Sequence, residues 1–296
     1  MLKLTSLILL AFLLVHCATP SQGPSADPAY VQSIESWQED RIQALTATDS
    51  WLAVAGLYPI KEGKNTFGSG AENDLVFPEN AGKKLGTLSL LHKTVRMSLQ
   101  PGVQVNINAN EADEAMIIFQ NGSSETIHYQ TFTWTVIQRG DRYFLRLWDS
   151  ENDALKTFEG IEHYPIQQQW RVPATFVEHR QTLAVHNVLD MDIMQVSEGL
   201  LHFQLNGKDY ELITLDGGKD AYFIIFSDAT TGVETYGAGR YLYVNRPDAK
   251  GKTWIDFNKA YNPPCAFTPF ATCPLPPKEN HLDVAVKAGE KDYGNH

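Results

Sequence analysis

A chain of 296 residues with 35 Asp and Glu against 24 Lys and Arg carries a formal charge of −11 at pH 7. That balance, with no basic run able to track a phosphate backbone, argues against nucleic acid as a partner. The length suffices for one large or two modest domains with their own hydrophobic cores, so no disulfide framework is needed to hold the fold.

Met1-Leu2-Lys3 followed by the nearly all-apolar, acid-free stretch from Leu4 to Val15 has the layout of a secretory signal. The stretch is too short to span a bilayer as a mature helix, and no later apolar run reaches the length of a membrane span. It ends in Leu14-Val15-His16-Cys17, which resembles a bacterial lipoprotein signal. The resemblance implies removal of residues 1–16 and a palmitate-type lipid on Cys17. It also implies a place in the bacterial cell envelope, on a membrane facing the periplasm or the exterior. Residues 17–27 are small, polar and Pro-containing, and read as the tether. Membrane attachment then depends on that lipid alone.

Asp27-Pro28 is an N-cap followed by Pro at the first helical position, and Tyr30, Ile34, Trp37, Ile42 and Leu45 recur at helical spacing. A helix is expected over residues 28–48. Beyond Asp49 the texture changes to short β-branched and aromatic runs punctuated by Gly, Asn, Asp and Pro, the pattern of an all-β chain. Strands are expected at Val95–Leu99, Val103–Ile107, Ala115–Gln120, Thr126–Gln138 and Tyr143–Trp148. Later ones are expected at Arg171–Glu178, Thr182–Val188, Leu200–Leu205, Tyr210–Leu215, Tyr222–Ser227 and Gly239–Val244. Tyr129 to Val136 alternates apolar and polar residues, as a strand with one buried face does. Asn206-Gly207 is a type I′ hairpin signal. The stretch from Asp149 to Gln169 separates the two strand groups. The expected fold is mainly β, with one N-terminal helix, a β-sandwich over 50–150 and a second antiparallel β body over 165–296 that ends in a long ordered loop.

Two resemblances bear on this outline. Thr66-Phe67-Gly68-Ser69 with Asn73-Asp74-Leu75-Val76-Phe77 looks like the opening of a forkhead-associated β-sandwich. Phosphothreonine readers of that fold carry an Arg beside the glycine and a downstream Ser-Arg-x-x-His. Here Ser69 and Gly82-Lys83-Lys84-Leu85-Gly86 stand in those places, so phosphopeptide binding is not implied. The second resemblance is longer. Gly239-Arg240-Tyr241-Leu242, the run from Ile255 to Phe267, Cys273-Pro274-Leu275-Pro276-Pro277 and Glu279-Asn280 resemble the bacterial domain-of-unknown-function family 1684. Phe226 to Gly232, Thr235-Tyr236, Gly289-Glu290, Trp51-Leu52, Gly56-Leu57 and Gly68-Ser69 extend it. The resemblance implies no activity.

Candidate site residues gather in the C-terminal third. Asp256 and Glu279 could serve as acid and base, or could cap turns. Asp228, Arg240, Asn258, Tyr261 and Asn280 could hold a small polar ligand, and Arg240 could equally pair with Asp228 or Asp256 inside the fold. Cys265 and Cys273, in an oxidising compartment, would pair as a disulfide. They could also be packed free thiols, or less readily join His281 at a metal. No G-x-S-x-G, H-E-x-x-H, Walker or G-x-G-x-x-G motif is present, so no cofactor or metal is expected. The sequence thus leads to a binding or structural module of the cell envelope, meeting a small polar ligand or an envelope protein. The alternative is a hydrolase using Asp256 and Glu279.

Overall fold

The computed structural model describes residues 27–107, 110–112 and 115–294. Cys17, the signal segment and all but the last residue of the tether lie outside the described residues. The chain is mainly β, with a long helix at its N-terminal end.

Helix α1 (Pro28–Leu45) starts where the Asp27 carboxylate accepts the amide of Ala29 at 3.0 Å. It stops at Thr46, whose hydroxyl turns back to the carbonyl of Ile42 at 3.0 Å. Ile34 and Leu45 are its buried anchors. Polar clasps lie near each end. The Tyr30 hydroxyl donates to Asp256 at 2.8 Å, and Arg41 pairs with the fully buried Glu290 at 3.0 Å.

The first β body is a sandwich of two six-stranded sheets. One sheet contains β1 (Val54–Ile60), β5 (Phe132–Arg139) and β6 (Arg142–Asp149), in the order β1-β6-β5, continued by three short strands. The other is built around β2 (Gly63–Gly68), β3 (Gly86–Leu91) and β4 (Thr94–Leu99). Alternation decides which residues meet between them: Phe132, Trp134 and Val136 of β5 and Leu145 and Leu147 of β6 pack with Phe67, Phe77, Leu88 and Met97. The expected strand over Thr126–Gln138 is two strands. Gln130, at φ +54°, turns the chain so that Tyr129 pairs with Phe132. The alternating run continues through the turn, because a two-residue hairpin preserves the in-out order on both arms.

The second body joins two four-stranded sheets. One has β7 (Arg171–His186) and β8 (Asp192–Leu205) at its centre, flanked by β9 (Lys208–Ile213) and β12 (Lys252–Asp256). The other centres on β10 (Ala221–Asp228) and β11 (Arg240–Asn245), with His281–Leu282 running parallel to β10. The expected separate strands Arg171–Glu178 and Thr182–Val188 are one long strand, bent by a register shift between Glu178 and Gln181. Asn206 and Gly207 both take positive φ, at +51° and +77°, in the tight turn joining β8 to β9. Between the bodies a short helix, Asp153–Thr157, lies in the stretch that separates the two strand groups.

The outward face of the β1-β6-β5 sheet does not meet water throughout. Phe144, Arg146 and Trp148 of β6 alternate with the core residues and lie on this face. Contacts tie it to the second body: Arg139 donates to Thr272 at 3.1 Å, and Trp51 packs both with Ala266 and Phe267 and with Tyr241 and Cys273. The candidate site lies at this seam.

Candidate functional site at the seam between the two β bodies

The polar residues singled out in the C-terminal third are mostly spent inside the fold. Arg240 and Asp228, both fully buried, pair at 2.6 Å. The remaining Arg240 donors reach the carbonyls of Ala288, Val286 and Glu290, and Asp228 also accepts from the amide and hydroxyl of Thr230. No donor of this pair is left for a ligand except Nε. Asn280 bonds the backbone of Ile213 in both directions and the carbonyl of Ile225 at 2.9 Å. Asn258 fastens both backbone groups of Gln167 and donates to Tyr30.

Asp256 accepts from Tyr30 and caps the turn at Asn258. Burial, with the hydrogen bond and negative charge of Asp256 added to it, drives the Tyr30 phenol well above its ordinary range. Glu279 is exposed and borders a small cavity with His179 and Glu211. None of the cavities described is lined by both carboxylates. Acid and base work across one cleft needs them to face one reacting bond. Tyr261 is half-buried, with the Arg41 guanidinium 4.6 Å above its ring and Trp37, Tyr241 and Tyr243 around it.

Cys265 and Cys273 are two free thiols in place of the expected disulfide. They are neighbours nonetheless: the Cys265 amide donates to the Cys273 sulfur at 3.0 Å. The contact with Cys273 draws the Cys265 thiol below its usual range, whereas burial drives Cys273 far above it. His281, considered as a third ligand, is engaged with the Ser227 hydroxyl at 3.0 Å.

Beside this thiol pair stands a group that the sequence reading passed over. Arg146, in the middle of β6, is only 7 % exposed, and its Nε and Nη2 have no hydrogen-bond partner among the described residues. Its guanidinium carbon sits 4.8 Å from the Trp51 ring and 5.9 Å from that of Trp148. Burial pushes its pKa down to about 10, with the neighbouring charge of Arg139 acting in the same direction. Only Cys273 opposes them, and no carboxylate is among the groups acting on it. Arg139 is itself held low by burial.

Two cations thus face one seam, and no carboxylate acts on the charge of Arg146. Stacking on tryptophan returns about 2 kcal/mol for a desolvated cation, whereas the effective cost of burying an ion is several kcal/mol. The balance leaves a standing demand for negative charge. Close by, a cavity of about 340 Å³ is lined by Trp51 and Trp148, the rings that stack on Arg146, together with Arg41, Ser50 and one carboxylate, that of Asp49. The Ser50 hydroxyl is buried and unbonded. A signal for Arg146 was present in the sequence: Tyr143-Phe144-Leu145-Arg146-Leu147-Trp148 reads as a strand covered on both faces, where an Arg requires a partner.

Comparison with known proteins fits this picture of a domain without an assigned chemistry. Residues 156–291 match the model of a family described as protein of unknown function, DUF1684. Residues 156–291 are thus a domain of the DUF1684 family. The match opens at residue 156, so Trp51-Leu52, Gly56-Leu57 and Gly68-Ser69 lie outside it. Among solved structures, the DUF1684 chain is similar to an uncharacterized protein from gene locus rrnAC0354 of Haloarcula marismortui, solved by NMR. Identity is 31 %, over 49 % of this chain and 82 % of that one, with a TM-score of 0.41. EmbR of Mycobacterium tuberculosis, solved with a low-affinity phosphopeptide, matches 41 % of this chain and 31 % of its own at 12 % identity and a TM-score of 0.21. That likeness is too slight to carry an argument. No curated protein matches.

Within the DUF1684 chain itself, the segment that resembled a phosphopeptide-binding loop is closed on its own backbone. Ser69 donates to Ala81 at 2.7 Å, Asn73 to Gly70 and Lys83, and Asp74 accepts from Thr66.

Proposed function

We propose that this DUF1684 protein is a cell-envelope binding module that holds the carboxylate or phosphate group of a small ligand at the seam between its two β bodies. Arg146 carries the reading: a buried guanidinium with two unpaired donors, Arg139 as a second cation beside it, and no carboxylate among the groups that act on its charge. An anion there would take charge-assisted hydrogen bonds from a fork whose geometry suits both groups. The hydroxyls of Thr272 and Ser50 stand near enough to the same seam to add neutral donors.

The test is titration calorimetry of inorganic phosphate and malonate into the protein, at constant ionic strength in chloride. The expected result is saturable binding of at least one anion, lost in Arg146→Met and weakened in Arg139→Gln. Equal heats from wild type and Arg146→Met would remove the proposal. A hydrolase reading has no support from the placement of Asp256 and Glu279.

The envelope location rests on the sequence around Cys17. Cys17→Ala is expected to move the protein from the membrane fraction to the soluble fraction of the exporting cell. Unchanged fractionation would show that Cys17 carries no anchor.

A further inference from the structure

The thiol pair at the seam has a chemistry that anion binding does not use. Cys265 and Cys273 lie side by side in unlike surroundings. Cys265 is half-buried, whereas Cys273 is 3 % exposed and packs with Val185, Ile225, Tyr241 and Ala271. One residue of the pair is within reach of solvent, and the other is sealed behind it.

Neither has far to travel to meet the other. The Cys265 amide donates to Cys273 Sγ at 3.0 Å, and the two side chains hydrogen-bond one another. Both backbones are pinned, because the Cys265 carbonyl accepts the Tyr236 hydroxyl at 3.0 Å and the Cys273 carbonyl accepts the Val188 amide at 3.0 Å. Juxtaposition of this kind lets a second step follow a first without a loop rearrangement.

The asymmetry sorts the roles. The thiolate is the reactive form of cysteine, and reactive cysteines are partly exposed with a lowered pKa, whereas sealed ones stay protonated. The contact that lowers the Cys265 thiol and the burial that raises Cys273 act in those two directions. A cation also stands ready for the later step, since Cys273 is the group that favours the charge of Arg146.

We propose that Cys265 and Cys273 form a thiol–disulfide exchange site whose substrate is a low-molecular-weight disulfide, small enough to reach a half-buried sulfur. Cys265, having given its proton to solvent, attacks one substrate sulfur. The substrate S–S bond breaks, one half leaves as a thiolate that takes up a proton, and a mixed disulfide remains on Cys265. Cys273 then loses its proton, attacks Cys265 Sγ and expels the second half, which is protonated in turn. Two protein thiols are oxidised to one disulfide, and one substrate disulfide is reduced to two thiols. The free thiols are the reduced half of this cycle, and a Cys265–Cys273 bond is its oxidised half rather than a fixed brace.

The test uses the reduced, full-length Cys17→Ala chain, in which this pair supplies the only thiols. It is mixed with 5,5′-dithiobis(2-nitrobenzoate) and afterwards with excess reduced glutathione. The native chain is expected to release two equivalents of thionitrobenzoate and to finish two hydrogens lighter without an adduct, and glutathione should restore both thiols. Cys273→Ser should release one equivalent and keep the adduct on Cys265, and Cys265→Ser should react at least tenfold more slowly. The stoichiometry of the parent chain needs no substitution at the pair, so a variant that misfolds leaves the test intact. Two retained adducts, no reaction short of denaturation, or a bond that glutathione leaves unreduced would each overturn the inference. None of these outcomes depends on whether Arg146 binds an anion.

Discussion

Arg146→Met is expected to make the protein more stable in chloride buffer, not less. In most cores, removing a buried polar side chain costs stability because a partner is orphaned. Arg146 has no protein acceptor at Nε or Nη2, so its removal strands nothing there, and Met restores most of the apolar bulk beside Trp51 and Trp148. Relief of an uncompensated buried charge is worth about 1–4 kcal/mol by analogy with buried ionic groups replaced by hydrophobic ones. The lost stacking takes back part of that gain. Urea-denaturation midpoints in matched chloride and phosphate buffers measure the outcome. Phosphate should raise the wild-type midpoint and leave that of the variant unmoved, because only a ligand that binds the native state shifts it. If Arg146→Met unfolds at lower urea in both buffers, the tryptophans compensate the charge by themselves and no anion is called for.

The opposite sign is expected at Asp228. Asp228→Ala leaves the fully buried Arg240 without its carboxylate, and removal of one partner from a buried ion pair costs about 3–5 kcal/mol. For a domain whose whole stability is about 5–15 kcal/mol, that is a large fraction. Arg240→Met should cost at least as much, because the carbonyls of Ala288 and Val286 then lose their donor. The double variant should lose less than the sum of the two, since each single change already breaks the shared contact. Additive losses in urea unfolding would mean that the two side chains do not stabilise one another. The comparison with Arg146 is informative: two guanidiniums buried in one chain, one matched internally and one not, should respond in opposite directions to the same kind of substitution.

Much of the architecture could be read from the sequence because it rests on local rules. The Asp27-Pro28 cap, the alternation in β5 and the Asn206-Gly207 turn each depend on residues close together in the chain. The long strand β7 was divided at Glu178 because its exposed middle, Glu178-His179-Arg180, looks like a loop when the partner strand is out of view. Site residues were harder for the converse reason. Arg240 and Asn280 stand out as polar residues of the C-terminal third, yet their partners include backbone groups dozens of residues away. Arg146 sits in an apolar string and reads as a strand residue. What marks it is an unfilled hydrogen bond, which becomes visible only when every neighbour is in place.

The two clasps of α1 also bear on how the chain comes together in time. Tyr30 closes on Asp256, 226 residues later, and Arg41 on Glu290, 249 residues later. The helix therefore waits for partners made 226 and 249 residues after its own clasp residues before it can dock. Contacts of such separation slow folding, since a long loop must close before any of its reward is collected. Until then the helix is an undocked strip. Its final seating then works as a buckle that can fasten only once Asp256 and Glu290 have been made.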